Sequence, residues 1–409
     1  MMPKNVLYAQ SGGVTAVINA SASGLIAKAR EYSEHIGVIY AAHNGILGVL
    51  NEELIDTSNI TAATLAALAH TPGGAFGSCR YKLGSLDDNR AEYEQLIAVF
   101  KAHDIGYFFY NGGGDSQDTS HKIATISKQL DYDLQCIGIP KTIDNDLPFT
   151  DNCPGFGSVA KYVAVSIKEA ALDIASMAHS STKVFILEVM GRHAGWIAAS
   201  AGLSAPHIIL FPEIVFDAAI FNARVQQCVA QHGYCTVVVS EGVKDGSGRF
   251  LAESGGKDSF GHSQLGGVAA CIAAMVTAKL DLKTHWAVAD YLQRSARHIA
   301  SQVDVDQAYA LGAAAVDLAI QGKNAVMPTI VRESNLPYQW SIGMADLAVV
   351  ANQEKFMPRD FISSDGFAIT AKCHAYLLPL IQGEAYPPYI DGLPHYVELQ
   401  HKMVPKLLK

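Results

Sequence analysis

The chain has 409 residues, more than an ordinary domain of about 100–200 residues holds, so two domains are expected. Hydrophobic residues make up 49% and charged residues 17%, with 35 Gly and 15 Pro, which excludes a disordered chain and supplies apolar surface for a large core. A net charge of -9, from 30 Lys and Arg against 39 Asp and Glu, argues against a general binder of nucleic acid or of anionic membranes.

Short apolar runs ending in Gly-rich turns recur along the chain. Residues 5–9 (NVLYA) lead into Ser11-Gly12-Gly13, and residues 14–30 then carry small and apolar side chains at helical spacing. Residues 38–40 form a second run before His43-Asn44-Gly45. Residues 105–110 (IGYFFY) end at Asn111-Gly112-Gly113-Gly114-Asp115, and residues 117–130 predict a helix. Residues 135–139 run into Pro140-Lys141-Thr142-Ile143-Asp144-Asn145-Asp146. Later runs fall at 184–189, 207–211, 235–240 and 286–289.

Strand, loop and helix in repeated alternation predict an α/β fold. Two lobes are expected, each a mainly parallel sheet covered by helices, with a C-terminal extension. The Pro/Gly-rich stretch 148–157 is the candidate crossover. It gives a first domain over residues 1–155 with a return segment at about 294–345, a second over 156–293, and the extension over 346–409. Seven scattered Cys without a CxxC pair argue against a disulfide framework or structural zinc and fit a reducing cytoplasm. No apolar stretch suits a bilayer span, and no secretion signal is recognisable.

Each loop quoted follows the carboxyl end of a predicted strand, where ligands of such folds bind. At Ser11-Gly12-Gly13 a backbone without side chains can approach an anion beside a helix terminus; a tight turn is the plain alternative. Residues 71–80 (TPGGAFGSCR) join three glycines to the Arg80 guanidinium, which suits phosphate oxygens; a solvated surface Arg reads as well. In residues 111–118 (NGGGDSQD) successive glycines favour close backbone approach to a ligand. Asp115 there can face a bridging divalent cation or exclude a competing anion, and Asp115 or Ser116 can also cap the helix.

Residues 140–146 (PKTIDND) set a cation, a hydroxyl and carboxylates around one strand end. A carboxylate there can take the proton of an attacking hydroxyl while Lys141 offsets phosphoryl charge; Asp144 or Asp146 as a turn residue is the alternative. Residues 188–195 (EVMGRHAG) supply Arg192 and His193, Glu241 follows another strand, and residues 291–294 (YLQR) close the set.

The ordered series SGG, GGAFGSCR, GGGDSQDT, PKTIDNDL, GFGSVAKY, EVMGRHAGW, PEIVFD, SEG and YLQR resembles the phosphofructokinases, most of all their bacterial pyrophosphate-dependent branch. The matching motifs extend from about residue 5 to 295. The resemblance implies reversible phosphorylation of fructose 6-phosphate at its 1-hydroxyl by pyrophosphate, a glycolytic step, with Mg2+ as cofactor. It places the donor on the first lobe and most of the sugar phosphate on the second.

Carried over by position, Gly12 and Gly13 would meet the donor phosphate with Gly113, Gly114 and Asp115, and Arg80 would stabilise the transferred charge. Asp144 would be the base, lined by Thr142 and Ile143. Met190, Gly191 and Arg192 would contact the sugar phosphate and Glu241 the sugar itself, with Tyr291, Leu292, Gln293 and Arg294 completing the phosphate end. ATP-using relatives carry Gly at the positions of Asp115 and Lys141. A carboxylate there fills the space of the nucleotide α-phosphate and repels it, and the ammonium attracts the smaller donor.

Two positions depart from the family. Its magnesium-binding Asp is Gly114 here, so Asp115, or the phosphates themselves, would hold the metal. Lys183 stands where many relatives place an Arg that enters the neighbouring subunit's site, which implies a homodimer or homotetramer; the region of residues 283–285 should supply another such cation. The competing readings are an ATP-dependent 6-phosphofructokinase and a non-catalytic sugar-phosphate-binding regulatory paralogue.

Overall fold

The computed structural model describes residues 3–257, 263–351 and 353–408. The chain divides into two compact units. The first comprises Met1–Gly155, Arg297–Glu354 and Gly383–Lys409; the second comprises Phe156–Ala296 and Lys355–Gln382. Of the C-terminal residues, 355–382 fall in the second unit and 383–409 in the first.

The first unit is built on an eight-stranded sheet. Its order is Tyr338–Asp346, Val326–Asn335, Gln135–Pro140, Ile105–Gly112, Lys4–Gln10, Ile36–Ala42, Leu54–Asp56 and Lys402–Met403. The central pairings are parallel, and the sheet ends in antiparallel strands on both sides. The strand Lys4–Gln10 shows why the middle of the sheet reads as a continuous apolar run. Val6 and Tyr8 enter one core cluster and Leu7 and Ala9 another, so helices bury both faces. On one face Ile18–Glu31 crosses Gln302–Ile320. A Cβ on Gly24 would lie 2.1 Å from the Tyr309 carbonyl oxygen, and one on Gly312 would lie 2.0 Å from that of Ser21. Only glycine at both points lets the two helices approach this closely.

The second unit carries a wholly parallel four-stranded sheet ordered Thr284–Val288, Val184–Val189, Cys235–Ser240, Ile208–Leu210. Its core joins Val184, Ile186, Val237 and Val239 to Phe221, Val225, Ile272 and Val276 of the flanking helices. An antiparallel hairpin of Glu253–Lys257 and Ser263–Leu265 accompanies it. The expected strands thus form two mainly parallel sheets with helices packed on them, the α/β architecture read from the sequence. The hairpin Val326–Asn335 and Tyr338–Asp346 lies outside the strands expected from the sequence, and its outer part leaves apolar Val331, Ile342 and Met344 exposed. Among the described residues, no helix is long and apolar enough to cross a membrane.

Candidate active site

In the first unit the strands Lys4–Gln10, Ile105–Gly112 and Gln135–Pro140 lie side by side and parallel, so the three loops that follow them open on one sheet edge. Gly12 sits at φ +71, a conformation that favours glycine, and its N–H donates to Cys79 O at 2.9 Å. The amide expected to meet a phosphate is therefore occupied by the 71–80 loop. Gly12 contributes close approach through its missing side chain. Ser78 Oγ donates back to Gly12 O at 2.8 Å, so the two loops hold one another.

Lys141 is 3% exposed, and its Nζ donates to Ser11 O at 2.7 Å and to Gly13 O at 2.6 Å. A Cβ on Gly12 would lie 3.6 Å from that ammonium. The buried cation, stabilised by carbonyl oxygens, thus stands against the glycine turn. The helix Gly114–Gln129 begins at Gly114, three residues before its expected start, with Gly113 as its N-cap. Asp115 therefore lies in the first turn and is not the cap; it stands beside a positive helix end with Ser116, whose Oγ donates to Ser11 Oγ at 2.7 Å. Asp115 Oδ1 is 2.7 Å from Lys82 Nζ, a pairing that holds the lysine's pKa above its ordinary value. Nothing in the sequence marks Lys82, two residues after Arg80, as part of this site. Arg80 itself is exposed.

A polar network supports these loops from below. Tyr8 OH accepts from Asn111 Nδ2 at 2.9 Å, and Gln10 Nε2 lies 3.3 Å from both Tyr8 OH and Asn19 Oδ1. Asn19 Oδ1 also accepts from Ala75 N at 3.0 Å, and Asn19 Nδ2 donates to Thr71 O at 2.8 Å. Burial pushes the Tyr8 phenol up to about 12 despite its two amide partners, so it stays neutral.

In the 140–146 loop, Ile143 is buried while Thr142 and Asp144 are half-buried. Asp144 N–H donates to Thr142 Oγ1 at 3.1 Å, and Asn145, at φ +56, accepts from Cys153 N at 3.0 Å. These bonds fix the turn through groups other than the Asp144 carboxylate. Among the described residues, no three His, Cys, Asp or Glu side chains stand together as metal ligands. A Cβ on Gly114 would meet nothing within 4 Å, so that residue offers room but no side-chain ligand. With room at Gly114 and one neighbouring carboxylate, Asp115, that is already paired with Lys82, a hard cation here would take most of its ligands from phosphate oxygens and water.

In the second unit, Met190, Gly191 and Arg192 follow the strand Val184–Val189, and Glu241 follows the neighbouring Cys235–Ser240. Gly191, at φ +130, directs its N–H to Glu241 Oε1 at 3.4 Å. Burial pushes the Glu241 carboxyl above its ordinary value, and the Gly191 amide and Arg192 oppose that rise. Glu188 of the same motif is structural: its oxygens accept from Gly267 N at 3.0 Å and Ala269 N at 2.9 Å, capping the helix Val268–Leu280.

Residues 291–294 lie on the short helix Asp290–Ser295 and divide by face. The Arg294 guanidinium covers the Tyr291 ring at 3.9 Å, one helical turn away, whereas Leu292 is 64% exposed and Gln293 is buried. The four are therefore not one surface. Lys183 precedes the six-residue strand Val184–Val189, about 20 Å long at ~3.3 Å per residue, and the 190–192 loop follows its other end. Its Nζ donates to Ala178 O, so within one chain it is remote from the 190–192 loop. His193 is exposed.

A family model described as phosphofructokinase matches residues 5–319. Over its whole length the chain is 61% identical to the pyrophosphate–fructose 6-phosphate 1-phosphotransferase of Methylococcus capsulatus and 59% identical to that of Halomonas elongata, covering 99% of each. The crystal structure of the pyrophosphate-dependent phosphofructokinase of Nitrosospira multiformis superposes with a TM-score of 0.93 at 60% identity, over all of this chain and 99% of that one. With the family model spanning residues 5–319 and relatives of about 60% identity covering it from end to end, this chain belongs to the phosphofructokinase family.

Proposed function

We propose that the chain transfers a phosphoryl group from pyrophosphate to the 1-hydroxyl of fructose 6-phosphate, giving fructose 1,6-bisphosphate and phosphate in a reversible step of glycolysis. The observation that carries this reading is Lys141 Nζ, held between the carbonyls of Ser11 and Gly13 against the Gly12 turn. A buried ammonium at that point, with Asp115 at the loop mouth, favours a compact inorganic donor over a nucleotide. Relatives that carry the same activity in their names match the chain from end to end.

In this reading the sugar 1-oxygen attacks the transferred phosphorus and its proton passes to the Asp144 carboxylate. The bond from that phosphorus to the bridging oxygen then breaks, and phosphate leaves. Arg80, Lys141 and Lys82 carry positive charge around the donor, which lowers the cost of charge moving to the leaving group. Mg2+, held by Asp115 and diphosphate oxygens, would neutralise further donor charge. Arg192, Tyr291 and Arg294 bind the phosphate end of the sugar, and Glu241 accepts from the sugar itself. A homodimer or homotetramer, with Lys183 serving a neighbouring subunit, and a cytoplasmic place of work complete the proposal.

A coupled assay that offers pyrophosphate and ATP separately, each with Mg2+ and fructose 6-phosphate, tests it. Turnover with pyrophosphate and little with ATP is expected. Faster turnover with ATP would overturn the donor assignment, and sugar binding without turnover of either donor would favour a regulatory protein.

A further inference from the structure

The segment after residue 394 runs back across the first unit and engages the 71–80 loop at several points. Lys402–Met403 pairs antiparallel with Leu54–Asp56 at the sheet edge, and Val404 N donates to Leu54 O at 2.8 Å. Beyond it, Leu408 N donates to Glu52 Oε2 at 3.1 Å, while Glu52 Oε1 accepts from His103 Nε2 at 2.6 Å. Before it, Val397 N donates to Thr71 Oγ1 at 3.0 Å. The segment is thus fixed on both sides of residue 401.

His401 acts at the centre of that span. Its Nε2–H donates to Ala75 O at 2.9 Å, and its ring stacks on Phe76 with centroids 6.3 Å apart and planes at 26°. The N–H of Ala75 is held by Asn19 Oδ1, so both polar groups of that peptide residue are pinned. Phe76 is fully buried and meets Tyr8 edge-on at 6.0 Å, and Tyr8 OH accepts from Asn111, which precedes the 112–115 glycine loop. A turn with Gly77 N bonded to Gly74 O then carries the chain to Ser78 and Cys79, the residues bonded to Gly12, and on to Arg80. A tail that only covered apolar surface would not need a ring N–H aimed at a loop carbonyl.

We infer that His401 is a positioning residue for phosphoryl transfer, with the tail acting as a strap that sets the height of the loop carrying Arg80. This rests on the function proposed above, since its kinetic consequence falls on the donor. His401→Ala removes one hydrogen bond and one ring contact, together worth about a tenfold change in local opening. Amide exchange at Gly12 and Gly77 is expected to quicken about tenfold, while amides of Cys235–Ser240 in the other unit stay as they are. The KM for pyrophosphate should rise and kcat fall, with the KM for fructose 6-phosphate unchanged. His401→Gln, which keeps an N–H donor, should restore most of both effects.

Unchanged exchange at Gly12 and Gly77 in His401→Ala would overturn the strap whatever the donor is. Equal acceleration in both units, or a parallel rise of both KM values, would reduce His401 to general stability. If the unaltered chain turns over no pyrophosphate, the functional reading fails, and the exchange measurement still decides the strap by itself.

Discussion

Lys82 Nζ stands 2.7 Å from Asp115 Oδ1, so the carboxylate at the mouth of the 111–115 loop carries a compensated charge. Taken alone, that carboxylate would repel any phosphate, inorganic or nucleotide. Pairing removes most of that repulsion and leaves the bulk of Asp115 to exclude the larger donor. The partners are 47% and 37% exposed, so the pair itself adds less than about 1 kcal/mol to stability. Lys82→Met should therefore raise the KM for pyrophosphate about tenfold by uncovering the carboxylate, with little change in thermal unfolding. Steady-state kinetics beside a melting curve check it; an unaltered KM would show that Lys82 has no part in donor binding.

Donor choice should follow from two side chains. In Asp115→Gly with Lys141→Gly, the buried ammonium beside Gly12 is gone and the loop mouth is open. Pyrophosphate turnover should fall by at least about 100-fold, the cost of removing a buried hydrogen-bonded charge, while turnover with ATP rises above that of the unaltered chain. The ratio of kcat/KM for the two donors is the readout. A ratio that stays in favour of pyrophosphate would move donor selection to other residues.

The site loops were legible because consecutive glycines after an apolar run have little packing value, and charged residues among them stand out. The central parallel strands were legible for the same reason, being apolar on both faces. Other features rest on contacts distant in sequence. Lys82 reads as a solvated surface lysine until the helix Gly114–Gln129 brings Asp115 to it. His401 lies in a polar stretch where a two-residue strand has no periodicity to show. Glu188 gave no sign of its capping role, because the amides it accepts from are those of Gly267 and Ala269. The division of residues 291–294 needed the helix itself: only its turn puts Arg294 over Tyr291 and turns Gln293 inward.

The tail should loosen in acid. Burial pushes the Glu52 carboxyl up, but bonds from Leu407 N–H, His103 and Leu408 N–H outweigh it and hold the folded pKa below the ordinary 4.5. A depressed carboxyl contributes stability that is present above the unfolded pKa and is lost as pH falls through the folded one. Glu52→Gln should lower the unfolding midpoint at pH 7 by an amount equivalent to about 1–3 kcal/mol, since it weakens the acceptor for three donors. The gap between the two proteins should close as pH drops below 4.5. Midpoints measured from pH 7 downwards test this; a gap that widens in acid would contradict the sign.

The base can be separated from its neighbour within the same loop. Asp144 and Asp146 are both half-buried, and sequence alone treats them as equals. The turn is held by the Asp144 backbone N–H to Thr142 Oγ1 and by Asn145 Oδ1 to Cys153 N, neither of which involves the Asp144 carboxylate. Asp144→Asn, nearly equal in size, should disturb the loop little while removing the proton acceptor. General-base catalysis contributes about 10²–10⁴-fold, so kcat should drop by that factor while the Kd for fructose 6-phosphate, measured by calorimetry, stays within a few-fold. Asp146→Asn should leave kcat within about tenfold, because no proton transfer is assigned to it. If the larger loss falls on Asp146, the proton goes there, and Asp144 is the turn residue.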